Sequence, residues 1–146
     1  MKGAPMWGDY RAPKPGSGKV RGSVPALVEP VAALEVVATI AFRPTGFRRE
    51  QVTPVDLLIT RNGEFAYVAL GRANHVAVVE VKTRRILDYI LVGKRPWGLA
   101  LTADESLLYV ANGLSDDITV IDTRTRKGLK SIPVGMVPYG ILIDDR

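Results

Sequence analysis

The last two-thirds of this chain repeats itself with a period of 42 residues and no gap. Pro54, Pro96 and Pro138 stand one period apart, as do Tyr67 and Tyr109, Gly71 and Gly113, and Gly93 and Gly135. Residues 54–95 and 96–137 share 14 identities in 42 positions, and other pairs exchange like for like: Val76 with Ile118, Glu80 with Asp122, Arg85 with Lys127. A unit of this size cannot bury its apolar face alone, so neighbouring copies have to stack.

Each copy offers four short apolar runs separated by turn chemistry, which is the pattern of strands. In the first copy they are Val55–Ile59, Phe65–Ala69, Val76–Val81 and Ile86–Val92. In the second they are Trp97–Leu101, Leu107–Ala111, Ile118–Asp122 and Leu129–Val134. The runs are near-continuous, as expected of sheets covered on both faces. Four-stranded units at ~40–45-residue spacing are propeller blades. The expected fold class is all-β: a partial β-propeller of two four-stranded antiparallel blades, 54–95 and 96–137, with flanking strands at 34–42 and 138–144. In the first hairpin, Arg61-Asn-Gly-Glu64 predicts a type I′ turn. Ala103–Ser106 lacks the glycine and predicts a longer type I turn. Tyr67 and Tyr109 are expected to pack between blades.

Ahead of the propeller region (33–146), residues 1–32 read as a disordered basic segment rich in Pro and Gly, with no apolar periodicity. Gly16-Ser-Gly-Lys19 imitates a phosphate loop, but Pro13 stands where that motif needs Gly and Val20 where it needs Ser or Thr. No continuous apolar stretch follows Lys2, so the segment is not of signal-peptide type. Nor does any apolar run approach the ~18 residues of a membrane span, so no membrane insertion is expected.

The formal charge of +5 is unevenly spread. Residues 1–50 carry eight cations and four acids; residues 51–146 carry twelve and eleven, and are nearly neutral. No nucleic-acid motif accompanies the charge, so no nucleic-acid partner is expected. With no Cys and only His75, thiolate and multi-imidazole metal sites are excluded.

Leu108-Tyr-Val-Ala-Asn112, with Val120-Ile-Asp-Thr123 and Ile132-Pro-Val-Gly135, resembles the YVTN β-propeller repeat family. Residues 54–95 match it more loosely, losing the Asn in Ala66-Tyr-Val-Ala-Leu70 and the Val-Ile-Asp pattern at Val78–Val81. Val37–Ile40 looks like a fourth strand, but the step from Ile40 to Pro54 is eight residues longer than that from Ile90 to Pro96. The extra chain is the loop Arg43–Glu50. The resemblance covers about 36–144 and implies an exported, largely non-enzymatic binding or scaffold protein of the periplasm. It is similar to the branch that accompanies pyrroloquinoline-quinone (PQQ)-dependent alcohol oxidation; no cofactor of its own is implied beyond that association. Against the ~4–8 blades of a closed ring, two blades predict the C-terminal piece of a larger propeller. On that reading residues 1–32 come from a truncated or shifted reading frame.

Loops between strands two and three, and from strand four into the next blade, share one propeller face. That face gathers the candidate ligand-binding residues Arg43, Arg48, Arg49, Arg72, His75, Lys94, Arg95, Trp97 and Tyr139. Cations beside aromatics can hold a planar or anionic ligand through charge-assisted bonds and stacking. No Ser–His–Asp set or carboxylate pair is recognisable, so no catalytic residue is assigned and the chain is read as a non-enzyme. The alternatives are a piece of a lactonase-like or haem-d1-type propeller enzyme, or a non-functional remnant. Exposed blade faces predict a protein partner or self-association.

Overall fold

The structure is a computed structural model that describes residues 35–144. The chain divides into two compact units, 1–37 and 38–146. Of the first, only Glu35–Val37 are described, as exposed irregular chain, and the expected disordered segment 1–32 lies outside the described residues.

The second unit holds eight strands: β1 (Pro54–Ile59), β2 (Phe65–Leu70), β3 (His75–Glu80), β4 (Arg85–Leu91), β5 (Pro96–Leu101), β6 (Leu107–Asn112), β7 (Asp117–Asp122) and β8 (Lys127–Pro133). They form two antiparallel sheets in the orders β1-β2-β3-β4 and β5-β6-β7-β8. Every strand falls within two residues of its sequence-expected position. Irregularities fall one period apart too: between Pro54 and Asp56 and between Pro96 and Gly98 on the first strands, and at Val78/Val79 and Val120/Ile121 on the third. Left-handed residues repeat in the same way, as Gly63 with Glu105, Asn74 with Asp116, Arg84 with Arg126 and Arg95 with Val137.

The sheets lie closest at β1 and β5 and diverge towards β4 and β8, as radiating blades must. Between them Tyr67, Ala69, Val76, Val78 and Ile90 of the first blade meet Leu99, Leu108, Val110 and Ile121 of the second. The Leu99 N–H also donates to Asp56 Oδ2 at 2.8 Å, tying β5 to β1. A second core lies on the far face of the first blade. There Ala66, Val68, Leu70, Ala73, Ala77 and Val79 are covered by Phe47 of the long loop and by Phe42 and Val52 at its two ends.

Three expectations change. Type I′ geometry needs positive φ at both central residues, yet of Asn62 and Gly63 only Gly63 has it. The turn instead closes Thr60–Gly63 by a Gly63 N–H bond to the Thr60 carbonyl at 2.8 Å, and the Phe65 carbonyl accepts from Thr60 N–H at 2.9 Å. The second hairpin is the same loop, with Glu105 in the left-handed place of Gly63 and Glu105 N–H on the Thr102 carbonyl at 2.9 Å. Residues 35–42 and 138–144 carry no strand ladder. A first strand pairs with a second and a fourth with a third, and no such neighbour lies beside them among the described residues. Tyr67 is buried between the blades, whereas Tyr109, on the forward face of the second blade, is only half-buried.

Candidate functional site

A cleft of about 400 Å³ runs along the inner strands, lined by Val55, Asp56, Trp97, Gly98, Leu99, Tyr139, Gly140 and Ile141. These residues occupy equivalent places in three successive repeats: Val55, Trp97 and Tyr139, then Asp56, Gly98 and Gly140, then Leu99 and Ile141. Two glycines make the cleft possible. A Cβ on Gly98 would lie 2.8 Å from the Tyr139 carbonyl oxygen, so only glycine lets residues 139–140 lie against β5. A Cβ on Gly113 would lie 2.5 Å from Cδ1 of Trp97, so its absence seats the indole.

The aromatic wall is stacked and charged. Arg95 Cζ stands 5.3 Å from the Trp97 ring centroid, and the Trp97 and Tyr139 rings lie 5.4 Å apart with a 33° tilt. Such contacts hold cation and ring together without an ion pair. Arg95 is left-handed (φ 61°), and its N–H donates to Asn74 Oδ1 at 2.9 Å, which fixes where the side chain starts. The one carboxylate of the cleft, Asp56, already accepts from the N–H groups of Leu57 and Leu99, each at 2.8 Å.

Of the nine residues expected to form a site, Arg95, Trp97 and Tyr139 come together here. Lys94 is exposed beside them, its N–H on Ser115 Oγ at 2.8 Å, and Arg72 is exposed on the 3-10 turn Gly71–Ala73. The other four belong to the covered face of the first blade. His75 opens β3, one residue ahead of the expected strand. Its ring stands edge-on to Phe47 and Tyr89, at 5.9 and 6.5 Å, and its Nδ1 bonds the Ala73 carbonyl oxygen at 2.6 Å. Arg43 N–H donates to the Tyr89 hydroxyl at 2.7 Å, and Arg48 N–H to Gln51 Oε1 at 2.9 Å. Arg49 lines a smaller cleft of about 210 Å³ with Ile40, Ala41, Phe42, Val52 and Pro54. The loop that carries these arginines is anchored sideways by Phe42 and Phe47, and so is spent on covering a sheet. Sequence reasoning missed Asp56, Gly98 and Gly140. The signal available was the glycine pair one period apart, with a carboxylate in the matching place.

The opposite face is a network closed on itself. Arg61 N–H donates to Glu105 Oε1 at 2.6 Å and its guanidinium to the Ala103 carbonyl at 3.2 Å, linking the two hairpins. Burial pushes the Tyr67 hydroxyl up, opposed by Arg126 and reinforced by Glu105. The Thr102 hydroxyl, then the Ser106 N–H and hydroxyl, hold the Asp104 carboxyl down at about 2. Asp122 is also lowered, first by the Thr125 N–H. Among the described residues no three of His, Asp and Glu converge as a cation-binding group.

The sequence pattern of the family described as "Lactonase, 7-bladed beta-propeller" matches residues 21–132. No curated protein matches the sequence. Among solved structures the chain is similar to Kuenenia stuttgartiensis hydrazine synthase, at 25% identity and a TM-score of 0.61, covering 68% of this chain and 28% of that one. It is similar to apo AztD from Citrobacter koseri at 21% identity and a TM-score of 0.53, covering 60% of this chain and 26% of that one. A functionally unknown protein from Desulfotomaculum acetoxidans matches at 21% identity and a TM-score of 0.56, covering 62% and 32%. The chain thus spans about a third or less of the length of these structures, and the last two likenesses show the fold alone.

Proposed function

The chain belongs to the seven-bladed lactonase β-propeller family, and on that premise we propose that it is a non-catalytic binding module, two blades of a ring whose cleft takes a planar anionic ligand. The observation that carries this is the Trp97–Tyr139 pair on one wall of the cleft, with the Arg95 guanidinium over the Trp97 ring. A flat aromatic acid gains stacking from the rings and a charge-assisted bond from the guanidinium. Asp56 is the one carboxylate lining the cleft, and each of its oxygens accepts one backbone N–H. The finer placement, an exported protein accompanying PQQ-dependent alcohol oxidation, belongs to the same proposal. So does association with a protein partner or a second copy through the forward face of the second blade. PQQ, a planar tricarboxylate, is the natural probe.

The family description itself favours a second reading, in which the chain contributes to a lactone-hydrolysing site and Asp56 acts as a base. One pair of experiments separates them. Titration with PQQ, followed by Trp97 fluorescence in a Trp7→Phe background, should saturate and should weaken about tenfold or more in Arg95→Gln. Absence of saturable binding sinks the first reading. Lactone hydrolysis abolished by Asp56→Asn, with folding intact, establishes the second.

A further inference from the structure

The first strand of each sheet pairs on one edge only, β1 with β2 and β5 with β6. N–H groups that point off the other edge need a partner from outside the ladder. For Leu57 and Leu99 that partner is one carboxylate. Asp56 Oδ1 accepts from the Leu57 N–H and Asp56 Oδ2 from the Leu99 N–H, each at 2.8 Å. The second of these bonds crosses from one repeat to the next, so a carboxylate on one first strand closes an amide on its neighbour.

One period later the same step has no carboxylate. Counting on 42 residues, the place of Asp56 falls to Gly98 and that of Leu99 to Ile141. The chain reaches Ile141 by the route that led to Leu99. Val134 N–H donates to the Asp116 carbonyl and Val137 N–H to Asp116 Oδ1, as Val92 N–H does to the Asn74 carbonyl and Arg95 N–H to Asn74 Oδ1. Gly98 has no side chain to offer, and among the described residues the Ile141 N–H has no hydrogen-bond partner. A second strand would not supply one, because β2 and β6 pair on the edge opposite to the one from which Leu99 reaches Asp56. Gly98, Gly140 and Ile141 line the cleft beside Trp97 and Tyr139, and glycine within a strand marks places where another group comes close.

We propose that the Ile141 N–H is the seat of a ligand carboxylate, which meets it from the cleft as the Asp56 carboxylate meets the Leu99 N–H, while the ligand's ring lies against Trp97 and Tyr139. The class this selects is an aromatic carboxylate rather than a neutral aromatic ring, because an N–H bond to an ionised acceptor is about twice as strong as one to a neutral acceptor. The Asp56 charge stands one repeat away and is met by two N–H groups, and the Arg95 guanidinium over Trp97 supplies the opposite sign. The inference rests on the binding reading of the cleft. It adds the group that the ligand must carry and the atom that receives it.

The test is a titration of the full chain, in a Trp7→Phe background, with 2-naphthoate and with its neutral analogue 2-naphthamide. Nuclear magnetic resonance of protein labelled with nitrogen-15 in Ile and Trp reads two signals at once. The Trp97 indole N–H reports that the cleft has filled. The Ile141 amide, identified as the signal that Ile141→Pro removes, reports the seat. With 2-naphthoate both should move along one saturation curve, the Ile141 proton downfield, and 2-naphthamide should bind about tenfold more weakly or worse. Ile141→Pro takes away the donor without breaking a hydrogen bond within the described residues, and should bring 2-naphthoate down to the level of 2-naphthamide. If Trp97 moves and Ile141 stays still, this proposal falls while the binding reading of the cleft stands. If neither moves, both fall. Equal affinity for the two probes overturns the carboxylate seat as well, since the charge would then go unread.

Discussion

The two blades share one backbone and differ in chemistry, and the difference follows what each face meets. The rear face of the first blade meets the long loop, and its Leu70, Ala73 and Ala77 are apolar under Phe42 and Phe47. The corresponding face of the second blade meets the short junction around Gly93, and there the same places hold Asn112, Ser115 and Thr119. Asn112 Nδ2 donates to Thr119 Oγ1 at 2.8 Å, which accepts the Gly93 N–H at 3.3 Å, and Ser115 donates to Asp117 Oδ1 at 2.6 Å. A Cβ on Gly93 would fall within 2.6 Å of Ser115, Asn112 and Asp117, so this junction requires glycine where the long loop begins with Arg43. A blade therefore tolerates either an apolar cover or a polar clasp. The clasp is incomplete: Asn112 Oδ1 is buried with no hydrogen-bond partner among the described residues, and such a group costs about 1–3 kcal/mol.

Transplanting first-blade residues into the second blade tests how far the two are interchangeable. The largest loss is expected from Leu108→Ala, which copies Ala66 into the core between the sheets. Leu108 is fully buried, and denaturant unfolding should show about 2–5 kcal/mol of destabilisation. A loss below the lower bound would mean that the sheets repack freely. Thr119→Ala copies Ala77 and strands the Asn112 amide and the Gly93 N–H. It should cost about 1–3 kcal/mol by the same measurement, whereas Asn112→Leu/Thr119→Ala together should recover most of it. Val137→Arg copies Arg95 into a left-handed position and should gain on the order of 1 kcal/mol, read as a raised Tm.

The smallest effect is a pH dependence. Asp104 and Asn62 hold equivalent turns: each accepts from a threonine hydroxyl at 2.7 Å and from a backbone N–H at 3.0 Å. Only Asp104 titrates. Its carboxyl is depressed to about 2 from 3.8, so its contribution is fully present above the unfolded value and is lost as pH falls through the folded one. Amide protection in the second hairpin, measured relative to free-peptide exchange rates, should fall as the solution is acidified over that range, while that of the first hairpin stays level. Asp104→Asn should abolish the difference. Equal acid sensitivity in both hairpins would break the comparison.

Much of this was legible in the sequence because a repeat fixes geometry by spacing. Pro54 and Pro96, Gly71 and Gly113, and the apolar runs between them placed all eight strands, and the pairing order follows from short antiparallel connections. The Asn-Gly turn was misread for a local reason: Thr60 and its hydroxyl build a longer loop that leaves Asn62 at negative φ. The site was legible only in part. Trp97 and Tyr139 were visible as aromatics after the repeated proline, and Arg95 as their neighbour. His75 and the loop arginines were grouped with them because sequence can say which residues share an end of the blades, but not which way a loop leans.

The sequence by itself determined the blades, since a 42-residue alternation of apolar strand and turn has few ways to bury its surface. Tertiary structure alone decided what each face became. Phe42, Phe47 and His75 are a cover because the first sheet presents apolar surface beneath them, and Arg95, Trp97 and Tyr139 are a wall because two glycines let three repeats close up. Spacing along the chain sets backbone geometry through short-range sterics, whereas the use of a side chain depends on which distant surface it is pressed against.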